Sequence, residues 1–351
     1  MIPTGAQTSP RSGPPLPRVL SSVLLAVAMF AFGFGVYNAA GYLKAGRAPV
    51  QRPDQVSAPV LPGTMYVAQG GAIYRFHGGS FTQITSEAGW TQPAVSADGG
   101  LLAVVKRSVN WSDLYLMTPY GRTTAQRTQN RSSQVEGNHW AFYPRFSPDG
   151  RQLFYAYDPK DPYNTYRVDL AVFASPTDPA SQASVMWTYP NPYTGGDVNP
   201  LPLSDGSLIF TKFSIDDQSA VHSQLWLQAR PGSAGAALTD ASLDCGQAAV
   251  SRDQKRIAMV CTRGQTRAAE LDVATFDAAT RTFGAPVTLV SGRLASSPVF
   301  SPDGRTVAYL APAAAGGMFQ LWTVPAAGHA SPTQITTDLG LDSTSAPAWT
   351  D

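Results

Sequence analysis

A short motif recurs six times at nearly constant spacing, and it limits the possible folds more than any other feature of this chain. Each copy joins an apolar segment to a turn that contains Asp, most clearly in YPRFSPDG at 143–150 and SPVFSPDG at 297–304. The aspartates of successive copies lie 51, 56, 48, 50 and 48 residues apart, and they are Asp98, Asp149, Asp205, Asp253, Asp303 and Asp351. A regular period of this length indicates a repeat architecture whose units pack against one another.

Each repeat predicts four short β-strands. An apolar strand comes first, and Ser-Pro-Asp-Gly then forms a tight turn, because Pro presets φ, Asp caps turn amides and Gly adopts positive φ. A second strand follows, as at 151–157, and a third alternates apolar and polar residues, as at 223–229. The fourth is shorter, and two copies share TQIT, at 82–85 and 333–336. Four strands in about 45–50 residues is the pattern of a β-propeller blade.

The two ends of the repeat region predict one blade between them. Residues 64–68 have the pattern of a second strand, and no first strand or Asp turn precedes them. Residues 346–350 have the pattern of a first strand at the end of the sequence. Closing a ring in this way removes open sheet edges. We therefore predict an all-β, six-bladed propeller over 64–351, with five internal blades and one composite blade.

The motif F-S-P-D-G-R at 146–151 and 300–305, with its downstream L-W or L-Y strand and a fourth strand ending near Thr, resembles the TolB-like propeller repeats. The resemblance covers roughly 63–351 and is degraded at 201–206 and 250–254. It is specific for the fold and weak for function, because such scaffolds carry many activities. The resemblance implies a bacterial, protein-binding propeller, and we expect no counterpart of the α/β domain that precedes the propeller in TolB.

The residues before the propeller predict a membrane anchor and a linker. Residues 19–37 carry no charge, and an apolar run of about 20 residues matches the hydrocarbon core of a bilayer. We expect a cytoplasmic tail at 1–18, a single transmembrane helix that acts as an uncleaved signal anchor at 19–43, and a Pro-rich linker at 44–63. A cleavable signal peptide is the alternative, although its apolar run is usually shorter.

The chain has two cysteines, Cys245 and Cys261. The predicted strands at 247–251 and 256–261 should pair around their turn, so that residues whose numbers sum to 506 or 507 lie opposite each other. This register brings the two thiols within bridging reach, and we expect a disulfide in an oxidising compartment. Two unrelated buried thiols are the alternative. We place the propeller on the periplasmic or extracellular side of a bacterial cytoplasmic membrane.

Composition and motifs exclude several classes of function. The 25 basic and 24 acidic residues give a net charge of +1, and no basic stripe is present, so we expect no nucleic-acid partner. The sequence lacks a nucleophile elbow, a Walker loop, an HExxH motif and a dinucleotide fingerprint. We expect no cofactor and no metal. The repeat aspartates are assigned to turn structure, and Asp158, Asp161 and Asn164 to a solvated loop instead of a calcium site.

The predicted binding site lies on one face of the propeller. The connections from strand two to strand three, and from strand four to the next blade, share a face that we call the loop face; the Asp turns lie on the opposite, turn face. In blades two to four the loop-face connections are long and aromatic, and recognition usually sits in such loops. The candidate residues are Trp111, His139, Trp140, Tyr143, Tyr163, Tyr193, Asp197 and His222. Packing at the channel mouth or beneath the inserts is the alternative role for these aromatics.

These features favour a non-enzymatic, membrane-tethered binding module or assembly subunit for a protein, peptide or cell-envelope component. Because the linker joins on the turn face, we expect the loop face to point away from the membrane. The alternative is a lyase or hydrolase that uses His139, His222 and acidic residues such as Asp197 at the channel mouth, which requires these groups to converge. The oligomeric state is left open by the sequence.

Overall fold

The computed structural model describes residues 60–160, 168–181, 183–189, 193–263 and 269–351. Within these ranges the chain is almost entirely β-structure, with two single-turn 3-10 helices, Val135–Gly137 and Ala241–Leu243. No helix of this described part has the length and apolar character needed to cross a bilayer. The predicted tail, the predicted membrane helix at 19–43 and all but the last residues of the predicted linker lie outside the described residues.

The described strands form six antiparallel sheets, which are the blades of a six-bladed propeller. In chain order the strands are β1 Thr64–Gln69, β2 Ala72–His77, β3 Ser80–Gln83, β4 Trp90–Val95, β5 Leu102–Arg107, β6 Ser112–Met117, β7 Thr123–Gln126, β8 Ala141–Phe146, β9 Gln152–Tyr157, β10 Ala171–Pro176, β11 Val185–Met186, β12 Asp197–Pro202, β13 Leu208–Ile215, β14 Val221–Gln228, β15 Gly235–Ala237, β16 Cys245–Val250, β17 Arg256–Cys261, β18 Glu270–Asp277, β19 Thr282–Phe283, β20 Val287–Val290, β21 Ser296–Phe300, β22 Thr306–Pro312, β23 Phe319–Pro325, β24 Thr333–Gln334 and β25 Ala348–Thr350.

Blade one consists of β25, β1, β2 and β3, and the later blades begin with the inner strands β4, β8, β12, β16 and β21. Blade five has both β19 and β20 on the outer side of β18. Neighbouring inner strands contact each other around a complete circle, from β4 through β8, β12, β16, β21 and β25 back to β4. The prediction of a six-bladed, all-β propeller is confirmed for the described residues.

The composite blade is formed by the two ends of the propeller, as predicted. Strands β25 and β1 are antiparallel, with Trp349 opposite Met65 and Ala348 opposite Tyr66. The Trp349 indole is 8% exposed and packs in a core cluster with Met65 and Phe76. Its Nε1–H donates to the carbonyl oxygen of Pro62 at 2.8 Å. Apolar packing and a hydrogen bond therefore close the ring together.

The second strand of each blade is an apolar run because its two faces are both covered by neighbouring blades. Residues 102–105 in β5 and 307–311 in β22 are buried without alternation. Their side chains point alternately into two different core clusters: Val307 and Tyr309 into one, Ala308 and Leu310 into the next. The core is thus a series of layers between blades.

The Asp turns between first and second strands are closed by side-chain hydrogen bonds. Ser147 Oγ donates to Asp149 Oδ1 at 2.6 Å, and the N–H of Arg151 donates to the same oxygen at 3.1 Å. Gly150 between them has φ 72°, a left-handed conformation that favours glycine. Equivalent pairs of bonds occur at Asp98, Asp253 and Asp303.

The two remaining repeat aspartates differ in their partners. Asp205 Oδ1 accepts both the hydroxyl and the backbone N–H of Ser207, which follows the aspartate instead of preceding it. Asp351 forms an ion pair with Arg252. All six carboxylates thus have partners in or beside turns, and no group of three metal-ligating side chains is found in the described part of the chain.

Cys245 and Cys261 are directly opposite each other in the antiparallel pair of β16 and β17. Their Cα atoms are 4.1 Å apart, and their Sγ atoms are bonded at 2.10 Å. The residue numbers of the paired positions sum to 506 at Cys245 and to 507 at Ala249. The sum changes because a β-bulge at Gln247 and Ala248 shifts the register between them.

Candidate functional site

The inner strands of blades two to six each carry a β-bulge at the same level of the propeller. In each of these strands the pairing with the second strand shifts register by one residue. One bulged residue in each has φ between 45° and 55°, and these residues are Gln92, Tyr143, Asn199, Gln247 and Ser297. A left-handed conformation costs a non-glycine residue about 1–3 kcal/mol. Repetition in five strands indicates that the fold requires this backbone shape on its axis.

Bulges and prolines also control the free edges of the inner strands. The residue after the left-handed one is Pro93, Pro144, Pro200 or Pro298 in four of the five strands, and Ala248 in the fifth. A proline has no N–H to offer, and a bulge interrupts the regular ladder, so neither presents a template for another strand. The free edges that face the axis are therefore protected without being paired.

Hydrogen bonds link the bulges around the axis. Ser345 Oγ accepts the N–H of Gln92 at 2.8 Å, and Gln92 Oε1 accepts the N–H of Tyr143 at 2.7 Å. On the other side of the ring, Gln247 Oε1 accepts the N–H of Ser297 at 2.8 Å. A side chain from one blade thus fixes the bulge of the next at three blade junctions.

The bulged strands enclose a cavity of about 110 Å³ on the propeller axis. All six blades contribute to its wall, through the bulged residues, their neighbours and residues just before β25. The wall residues are Gln92, Pro93, Tyr143, Pro144, Arg145, Asn199, Gln247, Ala248, Ser297, Pro298, Thr344 and Ala346. Of the predicted binding residues, Tyr143 alone lines this cavity, and burial raises the pKa of its phenol.

His139 and Trp140 pack at the base of the loop face. His139 Nδ1 lies 2.8 Å from the carbonyl oxygen of Asp158, and its ring stacks on Tyr157 at 5.4 Å. The Trp140 ring stacks on Phe142 at 5.6 Å beside a small core cluster. These contacts match the alternative of packing beneath the inserts. Trp111 is partly exposed, and the Arg131 guanidinium lies 5.3 Å from its ring centre.

Asp197 is buried in a cleft between blades three and four. It lies 3.3 Å from Lys212 Nζ, and Lys212 Nζ is 5.6 Å from the Trp226 ring. Desolvation raises the pKa of Asp197, and Lys212 partly opposes that shift. The cleft has a volume of about 180 Å³, and its other wall residues include Trp187, Tyr189, Phe210 and Gln228.

The connection from β11 to β12 exposes two tyrosines, of which Tyr189 lines this cleft. Tyr189 is 65% exposed and Tyr193 is 71% exposed. Asp169 accepts the N–H of Tyr193 and that of Gly195, each at 3.1 Å, which anchors the second half of the connection. The predicted site residue Tyr163 lies outside the described residues.

His222 joins two loops of the loop face. Its Nε2 lies 3.0 Å from Asp216 Oδ2, and its Nδ1 lies 3.0 Å from Asp244 Oδ1. Hydrogen bonds to Asp216 and then Asp244 raise the pKa of His222, and the bond from His222 lowers the pKa of Asp216. His222 thus ties the loop 216–220 to Asp244, which immediately precedes blade five.

The three residues named for the enzyme alternative have separate partners. His139 contacts the Asp158 carbonyl, Asp197 contacts Lys212, and His222 contacts Asp216 and Asp244. No hydrogen bond joins any two of the three within the described structure. The convergence that the alternative requires is not observed among these contacts.

Sequence reasoning missed the axial bulges, Arg145 and the cleft around Trp187 and Trp226. An X-Pro pair at the start of four repeats was the available signal for the bulges, because a bulge tolerates the missing N–H. Nothing in the sequence separates Arg145 from other arginines, since its position on the axis depends on the packing of all six blades.

Comparison with known proteins identifies the fold. No protein-family model and no curated protein matches the chain. Among solved structures, TolB from Acinetobacter baumannii is 20% identical with a TM-score of 0.61, covering 82% of this chain and 66% of that one. A putative TolB from Agrobacterium tumefaciens is 14% identical with a TM-score of 0.54, covering 81% and 91%. A chain of a nidogen/laminin complex is 10% identical with a TM-score of 0.57, covering 81% and 97%. At these identities the similarity is one of fold.

Proposed function

We propose that this propeller is a non-catalytic binding module for a protein or peptide partner, tethered to the bacterial cytoplasmic membrane by the predicted helix at 19–43, with the propeller on the outer side. The partner contacts the connection between blades three and four. The observation that carries this proposal is the pair of exposed tyrosines in this connection, Tyr189 and Tyr193, of which Tyr189 lines a cleft that also contains Trp187 and Trp226.

The chemistry of this region suits protein recognition. Tyrosine and tryptophan supply much of the energy in protein interfaces, because they bury large areas at a small cost in conformational entropy. The anchor at Asp169 holds Tyr193 in place before a partner arrives, which lowers the entropic cost of binding. The proposed contact surface keeps Tyr193 from the predicted binding residues and leaves out Trp140, which packs against Phe142.

The structural neighbours support the proposal at the level of fold. One is a chain of a nidogen/laminin complex, so a chain of similar fold can take part in a protein complex. Two others are TolB and a putative TolB. The three residues named for the enzyme alternative, His139, Asp197 and His222, contact separate partners instead of one another.

Site-specific crosslinking in intact cells tests the proposal. A photoreactive phenylalanine replaces Tyr189 or Tyr193 in the full-length protein, and Tyr120 serves as the matched control because it is 75% exposed on the turn face. We expect crosslinked partners from positions 189 and 193 and none of these partners from 120. The proposal is contradicted if crosslinks form only from position 120, or if none form from positions 189 and 193.

A mutational test measures the contribution of the same residues. Replacing Tyr189 and Tyr193 together by serine should reduce recovery, by affinity pull-down without crosslinking, of the partner that the crosslinks identify by about tenfold or more, since hot-spot residues are worth about 2 kcal/mol or more. Tyr120→Ser should leave recovery unchanged. Equal recovery with all variants would show that the tyrosines are not the contact surface.

A further inference from the structure

Arg145 lines the axial cavity without a partner. It lies on the inner strand β8, two residues after the left-handed Tyr143, and it is largely buried. Its guanidinium makes no hydrogen bond and no ion pair with any residue that the structure describes. Other enclosed arginines differ: Arg127 donates to three carbonyl oxygens, and Arg263 pairs with Glu270 and Asp272.

An unpaired cation in such a place is costly. Removing a charge from water without a compensating partner costs several kcal/mol, and structures usually avoid it. Burial lowers the pKa of Arg145 to about 10, which still leaves the side chain protonated at neutral pH. The cavity wall therefore carries a permanent positive charge that no neighbouring carboxylate neutralises.

The rest of the wall is polar and lacks acidic residues. Arg145 is the single charged residue among those that line the cavity, and no Asp or Glu is present there. Gln247 adds donor capacity: its Oε1 is fixed by the N–H of Ser297, so its NH₂ group remains a donor. Ser297 also belongs to the wall, and its hydroxyl donates to the carbonyl oxygen of Ser343 at 3.0 Å. This arrangement favours an anion with oxygen acceptors.

The size of the cavity limits the anion. A cavity of about 110 Å³ is smaller than the engineered cavity of about 150 Å³ that holds benzene. A sugar, a nucleotide or an aromatic acid is therefore too large, whereas a carboxylate on a short stem fits. The planar guanidinium also matches a carboxylate, because two parallel N–H···O bonds can form between them.

We propose that the axial cavity is a carboxylate-binding site in which Arg145 pairs with both carboxylate oxygens and Gln247 supplies a further donor. The ligand is a small carboxylic acid or the acidic side chain of a peptide, since both present the same group. The inference concerns the axis of the propeller and does not depend on the proposed contact surface at Tyr189 and Tyr193.

The test follows the arginine Nε–Hε signals of the full-length protein by NMR while sodium acetate replaces sodium chloride at constant ionic strength. The signal of Arg145 is assigned by its loss in Arg145→Gln. We expect that signal to shift saturably with acetate, and the signal of Arg151, whose side chain is 87% exposed in the adjacent turn, to stay unchanged. The proposal is overturned if neither acetate nor a capped Ala-Asp-Ala peptide shifts the Arg145 signal saturably.

Variants separate a specific pair from a general charge effect. Acetate should raise the melting temperature of the wild type and of Arg151→Gln but not that of Arg145→Gln. Arg145→Lys, which keeps the charge, should weaken binding by about tenfold because it cannot form the two-point pair. If Arg145→Lys binds acetate as tightly as the wild type, the two-point geometry is overturned. This comparison does not use Arg145→Gln, so it still tests the proposal if that variant fails to fold.

A capped Ala-Asp-Ala peptide and its Ala-Asn-Ala control distinguish a small carboxylic acid from the acidic side chain of a peptide as the ligand. Binding of the Asp peptide about tenfold tighter than acetate, with no binding of the Asn peptide, assigns the site to an acidic side chain. Binding of acetate alone assigns it to a small acid. Equal binding of the Asp and Asn peptides, at a site that Arg145→Gln does not affect, overturns the proposal.

Discussion

At the scale of single residues, one carboxylate oxygen organises each Asp turn. Asp149 Oδ1 accepts a hydroxyl and a backbone N–H at once, and Ser147 Oγ in turn accepts the N–H of Gln152. Such local bonds satisfy backbone groups that the turn removes from the sheet. The recurrence of the motif in the sequence therefore reflects a recurring structural requirement and carries no information about catalysis.

The turn aspartates predict a pH dependence of stability. Hydrogen bonds from the preceding serine hydroxyls lower the pKa values of Asp98, Asp149, Asp253 and Asp303. A pKa below the unfolded value of about 3.9 stabilises the fold above that pH. This stability is lost as pH falls through the folded-state values, below about pH 4. Replacing all four by Asn should flatten this acid limb.

Urea unfolding at pH 7 and pH 3 measures this effect. The difference in the free energy of unfolding between the two pH values should be smaller in the fourfold Asn variant than in the wild type. The exposed Asp217→Asn serves as the control and should leave the difference unchanged. A wild-type pH dependence in the fourfold variant would show that other groups set the acid limb.

At the scale of elements, the hairpin of β16 and β17 shows how a bulge and a disulfide share one strand pair. The bulge at Gln247 supplies the axial wall, and the Cys245–Cys261 bond lies just beyond it, where the ladder has returned to regular pairing. The covalent bond therefore secures the end of the hairpin next to a strained backbone segment.

Removing the disulfide should reduce stability measurably. The cysteines are 16 residues apart, and a loop of about 15 residues corresponds to about 3 kcal/mol in the chain-entropy description. We expect Cys245→Ala with Cys261→Ala to lower the free energy of unfolding by about that amount in urea. Reduction of the wild type should have a similar effect. A loss below about 1 kcal/mol would contradict this role.

The accuracy of the sequence-based predictions also differs between elements. The strand order, the composite blade and the facing positions of Cys245 and Cys261 followed from local patterns, because turn chemistry and strand pairing act over a few residues. The site residues did not follow in the same way. Asp197 was predicted on a binding surface, yet it is buried against Lys212, because the twist between blades three and four decides which side of a loop is covered.

At the scale of the whole molecule, the ring is held at one junction by the chain ends. Three residues of β25 pair with β1, and Trp349 fills the core of the composite blade. This closing pair lies within blade one, whereas each junction between two blades is crossed by a covalent connection. Junctions such as that of Gln92 with Tyr143 add hydrogen bonds on the axis, so the ring behaves as a closed series of similar interfaces.

Trp349 is the residue whose loss should open the ring most readily. Trp349→Ala removes a buried indole, and such changes cost about 3–5 kcal/mol. Trp349→Phe keeps most of the packing and loses the bond to Pro62, for which we expect about 1 kcal/mol. Chemical denaturation of the three proteins tests this order. Equal stability of Trp349→Ala and the wild type would contradict a closing role.

The closing strand also has a consequence for biosynthesis. Trp349 and its partner Pro62 are 287 positions apart, so a nascent chain carries β1 for most of its synthesis before β25 emerges. Contacts of such high sequence separation form slowly, and an incomplete chain exposes unpaired backbone that promotes aggregation. The ring therefore closes only after β25 has been synthesised, and the incomplete propeller is the form most exposed to aggregation.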